Sequence, residues 1–129
     1  MRIISLGIDI VEIDRIRSAH ERYRERFETR VYTPTERTRI ALLKDPAPYL
    51  AGRWAVKEAV LKALGTGLTD GITWQDVEVL REPSGAPRVA LAGRARDRAA
   101  TLGITKILVS ITHGRDLAVA QALGVGEGE

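Results

Sequence analysis

The chain has 129 residues, of which 44% are hydrophobic and 29% charged, with a formal net charge of +3 and no cysteine. That suits one domain of a soluble protein with a modest core, excludes disulfides and thiolate metal centres, and makes a cytoplasmic location the expectation. No run reaches membrane-spanning length, the short first apolar stretch is followed at once by acidic residues unlike a secretory signal, and the mild basicity favours an anionic partner without specifying it.

Met1 to Val11 is a dense β-branched run that predicts a largely buried strand. Asp9 interrupts it, and a carboxylate there needs hydrogen-bond donors, a cation or a metal. Gly7 points to the same face and removes side-chain bulk beside Asp9. Asp14 is better placed to cap the helix that follows, predicted over Ile13 to Phe27. Its apolar stripe is Ile16, Ala19, Tyr23 and Phe27. Arg15, Arg22 and Arg26 line up beside that stripe, either to grip an acidic surface or as a solvated, salt-bridged face. Thr33-Pro34-Thr35-Glu36 has the form of a capping box opening a short helix, which ends before Asp45-Pro46-Ala47-Pro48.

The long helix predicted next, ending near Leu64, is apolar almost all the way round yet carries Lys57, Glu58 and Lys62. A helix without a polar face is normally buried. Buried charges are costly unless they are paired, bind metal or meet a ligand, so this helix is expected to offer its charges to a site. Leu50, Trp54, Leu61 and Leu64 share one side, and Ala51, Ala55 and Ala59 form a small-residue side where a backbone or ligand can approach. Glu58 and Lys62 project together, as a site or as an ordinary i,i+4 pair, and Arg53 and Lys57 form a second charged pair elsewhere. Gly65-Thr66-Gly67 stops the helix, as a C-cap or as a close backbone approach to phosphate.

After a loop over Leu68 to Ile72, Thr73 to Glu82 and Arg88 to Ala92 predict a hairpin turned at Pro83 to Pro87. Arg94 to Leu102 predicts a helix, and Ile104 to Thr112 with Leu117 to Leu123 a second hairpin. His113 and Arg115 at its turn suit either turn hydrogen bonds or a phosphate. Residues 1–123 are expected as a single domain and 124–129 as a flexible tail. With no regular βαβ rhythm, the fold class is α+β: an antiparallel sheet packed with a long buried helix. Asp9 and Glu58, one from a strand and one from a helix, suit magnesium, which keeps waters and is completed by substrate phosphates. They also suit a general acid/base pair, because spacing alone does not bring them together. Zinc is disfavoured, since His20 and His113 lack ligand spacing.

Three blocks resemble a known family: Gly7 to Ile16, Leu50 to Gly67 with its Lys57-Glu58-Ala59 and Lys62-Ala63 steps, and Val109-Ser110-Ile111-Thr112-His113. On these the chain resembles the holo-acyl-carrier-protein synthases, small 4′-phosphopantetheinyl transferases of bacterial fatty-acid synthesis, over nearly its whole length. Trp54 stands where Phe is common. The resemblance implies coenzyme A and an apo acyl carrier protein as substrates, and magnesium on Asp9 and Glu58. It implies a catalytic set of Asp9, Glu58 and Lys62, and a homotrimer with sites between subunits. Coenzyme A contacts are expected from Arg53, Lys62, Gly65, Gly67 and His113. Carrier-protein contacts are expected from Arg15, Arg22 and Arg26. The alternative is a non-enzymatic basic module binding nucleic acid or an acidic protein. Such a module has no use for Asp9 and Glu58, and an aromatic content of 5% argues against base stacking.

Overall fold

Alternation in the first strand governs the architecture. In β1 (Arg2–Glu12), Gly7 and Val11 are buried while Leu6, Ile8 and Ile10 point outward. The structure, a computed structural model, describes residues 1–128. β1 pairs antiparallel with β5 (Leu117–Gly126), and β5 with β4 (Lys106–His113), giving the sheet order β1-β5-β4. The inner face of that sheet packs on α4 (Ala47–Leu64), whose Leu50, Ala55, Val56, Ala59, Val60 and Leu64 are fully buried. At Gly7 the two backbones touch: a Cβ there would lie 1.9 Å from the Ala59 carbonyl oxygen. The small-residue side of α4 thus receives a strand, as its alanines anticipate. The strand expected to be largely buried is buried on one face only, because α4 covers one side of the sheet and no element among the described residues covers the other.

α1 (Ile13–Tyr23) is shorter than the predicted helix. Arg24 adopts φ 49°, its N–H bonds the His20 carbonyl at 2.8 Å, and α2 (Glu25–Val31) leaves at a new angle. His20 Nε2, 2.6 Å from Glu28 Oε2, ties the two pieces. The break carries Phe27 off the α1 stripe and against Tyr32 and Trp54, with ring centroids 5.7 and 6.1 Å away. Asp14 is not the cap: Glu12 holds that position without a side-chain cap bond, and the Asp116 carbonyl accepts the Ile13 N–H at 2.9 Å. Asp14 instead faces solvent in the first turn beside Arg17.

α3 (Pro34–Ala41) begins with the anticipated capping box between Thr33 and Glu36. Gly65, at φ 76°, caps α4 in the left-handed conformation that only glycine adopts freely. The stretch read as one strand from Thr73 starts as a 3-10 turn at Trp74–Asp76 and becomes β2 (Val77–Arg81) only afterwards. Thr73 and Asp76 bond each other's backbone, which competes with ladder pairing. β2 pairs with β3 (Pro87–Leu91) in a separate two-stranded sheet, and α5 (Gly93–Leu102) follows. Residues 124–126, expected in the tail, belong to β5: Arg2 lies opposite Gly126, where a Cβ would meet the Gly103 carbonyl oxygen at 2.1 Å. Glycine there, the last residue of β5, permits the close approach. Glu129 lies outside the described residues.

Candidate active site

Asp9 lies on the inner face of β1 between Gly7 and Val11, facing α4. Lys62 reaches it from the last turn of α4, donating to Asp9 Oδ1 at 3.1 Å and to the Ile8 carbonyl at 2.9 Å. The other carboxylate oxygen, Asp9 Oδ2, is buried without a hydrogen-bond partner. Glu58 sits one turn before Lys62 on the same face of the helix, and its Oε1 accepts the indole N–H of Trp74 at 3.2 Å. Among the described residues Lys62 therefore pairs with Asp9, not with Glu58. Gly65 and Gly67, both at positive φ, follow directly in the loop beyond Lys62. The strand carboxylate, the helix carboxylate, the lysine and the glycine loop thus share one end of α4.

The third charge of the helix goes elsewhere. Lys57 is fully buried, paired with Glu36 Oε1 at 2.8 Å, and donates to the carbonyls of Trp74 at 3.2 Å and Val77 at 2.5 Å. Glu36 also accepts the Thr33 N–H at 2.8 Å and the Val79 N–H at 2.7 Å. Every donor and acceptor in this knot has a partner, which is the condition for holding a buried pair. Burial lowers the pKa of Lys57, and the Glu36 carboxylate works against that shift. The expectation that the helix offers its charges to a site therefore fails for Lys57, which binds α4 to α3 and β2.

Arg53 and His113 do not join Asp9 within the chain. Arg53 is nine residues before Lys62, so at ~100° per residue it faces the opposite side of α4. Its guanidinium lies 4.3 Å from the Tyr49 ring centroid, and its Nε is buried without a partner. It lines a cavity of about 240 Å³ with Arg39, Tyr49, Arg81 and Gly85. His113 packs against Gly52, with Nε2 3.0 Å from the Pro48 carbonyl oxygen, at the opposite end of α4. Pro48 to Lys62 spans roughly 21 Å of helix axis at 1.5 Å per residue.

Arg15, Arg22 and Arg26 are all exposed. The break at Arg24 interrupts the expected row, yet the guanidinia of Arg22 and Arg26 both lie over the Tyr23 ring, at 5.3 and 5.9 Å. An aromatic groove of about 500 Å³, lined by Tyr23, Arg26, Phe27, Arg30, Trp54 and Trp74, runs between these arginines and Glu58's partner Trp74. Sequence reasoning passed over Trp74, Tyr49, Arg39 and Arg81. Trp74, Arg39 and Arg81 reach these places only through the fold, whereas Tyr49 stands one helical turn before Arg53, a spacing the sequence displays.

The donor set at Asp9 and Glu58 fits a hard divalent cation. Both residues offer carboxylate oxygens, one of them buried and unpartnered. The described residues form no cluster of three or more His, Cys, Asp or Glu side chains. Two carboxylates alone leave most of the coordination sphere to water and phosphate oxygens, the habit of magnesium.

Residues 5–122 match the family model of the 4′-phosphopantetheinyl transferase superfamily, and the chain belongs to that superfamily. It is 49% identical over 118 residues to the holo-acyl-carrier-protein synthase of Maridesulfovibrio salexigens, covering 92% of this chain and 94% of that one. It is 46% identical to the synthase of Desulforudis audaxviator, covering 98% and 96%. Among solved structures it resembles the holo-acyl-carrier-protein synthase of Neisseria meningitidis, with a TM-score of 0.88 at 27% identity over 95% and 98% of the chains. It also resembles the Helicobacter pylori synthase in complex with coenzyme A, with a TM-score of 0.81 at 31% identity over 93% and 99%. The α+β fold with a long buried helix is as expected, and the non-enzymatic basic module is set aside: the chain is a phosphopantetheinyl transferase.

Proposed function

We propose that this chain, as a magnesium-dependent homotrimer in the cytoplasm, moves the 4′-phosphopantetheine group of coenzyme A onto a serine of an apo acyl carrier protein. The other product is adenosine 3′,5′-bisphosphate, and the pathway is fatty-acid biosynthesis. The observation that carries this reading is Asp9, whose Oδ2 is buried without a partner while its Oδ1 holds Lys62 one turn from Glu58. Asp9 and Glu58 would hold the cation, which when bound neutralises the pyrophosphate. The serine oxygen bonds to the β-phosphorus, the bond from that phosphorus to the bridging oxygen breaks, and the electron pair leaves on the bisphosphate. The serine proton passes to a base, for which a carboxylate of this site is available. Lys62, with a half-exposed side chain, offsets the charge gathering on the leaving phosphate.

Gly65 and Gly67 offer backbone to the phosphates beside Lys62. Arg53 and His113 serve the 3′-phosphate end, and their distance from Asp9 along α4 favours a site completed by a second copy. The outward face of β1 supports the same conclusion, since Ile3, Leu6, Ile8 and Ile10 are each more than half exposed. Arg15, Arg22 and Arg26 suit the acidic helix of a carrier protein. The location belongs to the same proposal; no helix of the described residues is long and apolar enough to cross a membrane. Incubation with apo carrier protein, coenzyme A and magnesium should raise the carrier's mass by one phosphopantetheine and yield the bisphosphate. A carrier whose mass is unchanged overturns the proposal, and undiminished transfer after chelation overturns its magnesium dependence.

A further inference from the structure

We infer that Trp74 is a positioning residue for Glu58: its indole N–H holds one oxygen of that carboxylate, so that the other is presented to the divalent cation. This rests on the reading of Glu58 as a metal ligand. The contact runs from Trp74 Nε1 to Glu58 Oε1 at 3.2 Å. A glutamate on a helix has several side-chain torsions to lose on binding a cation, and a donor fixed on one oxygen removes that freedom beforehand. An indole is a donor only and carries no charge, so it orients the carboxylate without neutralising it. Asp9 is held differently, by the charged Lys62.

Trp74 is itself clamped. Lys57 Nζ donates to its carbonyl, so the adjacent residues Lys57 and Glu58 grip one tryptophan at its two ends. Trp54 packs on its ring at 5.2 Å, and the Arg30 guanidinium lies 5.6 Å from the ring centroid. The reciprocal bonds of Thr73 and Asp76 fix the turn that carries it. The buried Lys57–Glu36 pair therefore acts on the site through Trp74 and touches no reacting atom.

The test is manganese binding to the whole enzyme with coenzyme A, read from the paramagnetic signal of the free ion. Trp74→Phe keeps an aromatic ring and removes the donor, and should weaken manganese binding by about tenfold while coenzyme A affinity without metal stays at the wild-type value. Wild-type manganese affinity in Trp74→Phe, with binding lost in Glu58→Ala, overturns the inference alone. Wild-type affinity in Glu58→Ala overturns the metal-ligand reading, and the inference with it. If Trp74→Phe does not fold, the wild-type indole N–H resonance of Trp74 decides. It should move upfield in Glu58→Ala, and a resonance that stays in place overturns the hydrogen bond.

Discussion

Lys57 and Lys62 lie five residues apart on one helix and have opposite fates. Lys62 is half exposed against a carboxylate with a free oxygen, whereas Lys57 is sealed in a saturated knot. On the proposed reading, Asp9→Ala and Glu58→Ala should each lower kcat by at least about 100-fold, with melting temperatures near wild type, because they remove the carboxylates that would hold the cation. Lys62→Ala should lower kcat while the KM for coenzyme A changes little; a rise in KM alone would show that the lysine serves uniform binding. Lys57→Met should instead cost about 3–5 kcal/mol of stability in urea melts, since it strands Glu36 in the core. The pH dependence has a definite sign. Lys57 loses its proton below the ordinary 10.5 when folded, so between its lowered value and 10.5 the unfolded chain binds more protons and stability rises with pH. Wild type should therefore gain on Lys57→Met as pH is raised from near neutrality to 10.5. Burial holds Tyr32 well above its usual value in the wild type, and Lys57→Met keeps that tyrosine. An identical pH slope in both would show that Lys57 carries no linked proton.

The break between α1 and α2 turns a straight arginine row into a bent one around Tyr23. Arg15→Glu and Arg22→Glu should slow association with apo carrier protein several-fold in surface plasmon resonance, and the defect should shrink as salt rises. Association rates and salt slopes equal to wild type in both variants would return these arginines to a solvated face. Nothing in Glu21 to Phe27 announces this break, because Arg24 is neither Gly nor Pro and the apolar period continues through it. What stops the helix is tertiary: Phe27 gains Trp54 and Tyr32 as neighbours only if the chain turns. The capping box at Thr33, the glycine stop at Gly65 and the α4 burial were legible because each is written in adjacent residues. The Lys62–Asp9 contact was half legible: both residues stood out, but which carboxylate the lysine takes depends on how β1 crosses α4 at Gly7. Trp74 was not legible, since its hydrogen bond to Glu58 crosses a loop of undetermined path.

At the scale of the whole molecule, the two ends of α4 serve different sites in the proposed trimer. Mixing Asp9→Ala subunits with His113→Ala subunits in equal amounts should restore about a quarter of wild-type activity, since one neighbour pair in four then joins two intact halves. A mixture no more active than its components would place both residues in the same subunit's site. The sheet has a further consequence, in the order of synthesis. β1 is made well before β5, its one sheet partner among the described residues, with Arg2 opposite Gly126. Until β5 has been synthesised, a strand carrying Ile3, Ile4, Leu6, Ile8 and Ile10 has no strand to pair with, and α4 lacks the sheet that meets it at Gly7. Such non-local closure is slow and leaves apolar strand exposed to other nascent chains. A chain stopped after His113 should show no protected amides in β1 in hydrogen exchange, and extending it to Gly126 should produce them throughout that strand. Closure of the sheet, and with it the Asp9 face of the site, thus waits on the strand most distant from β1 in the sequence.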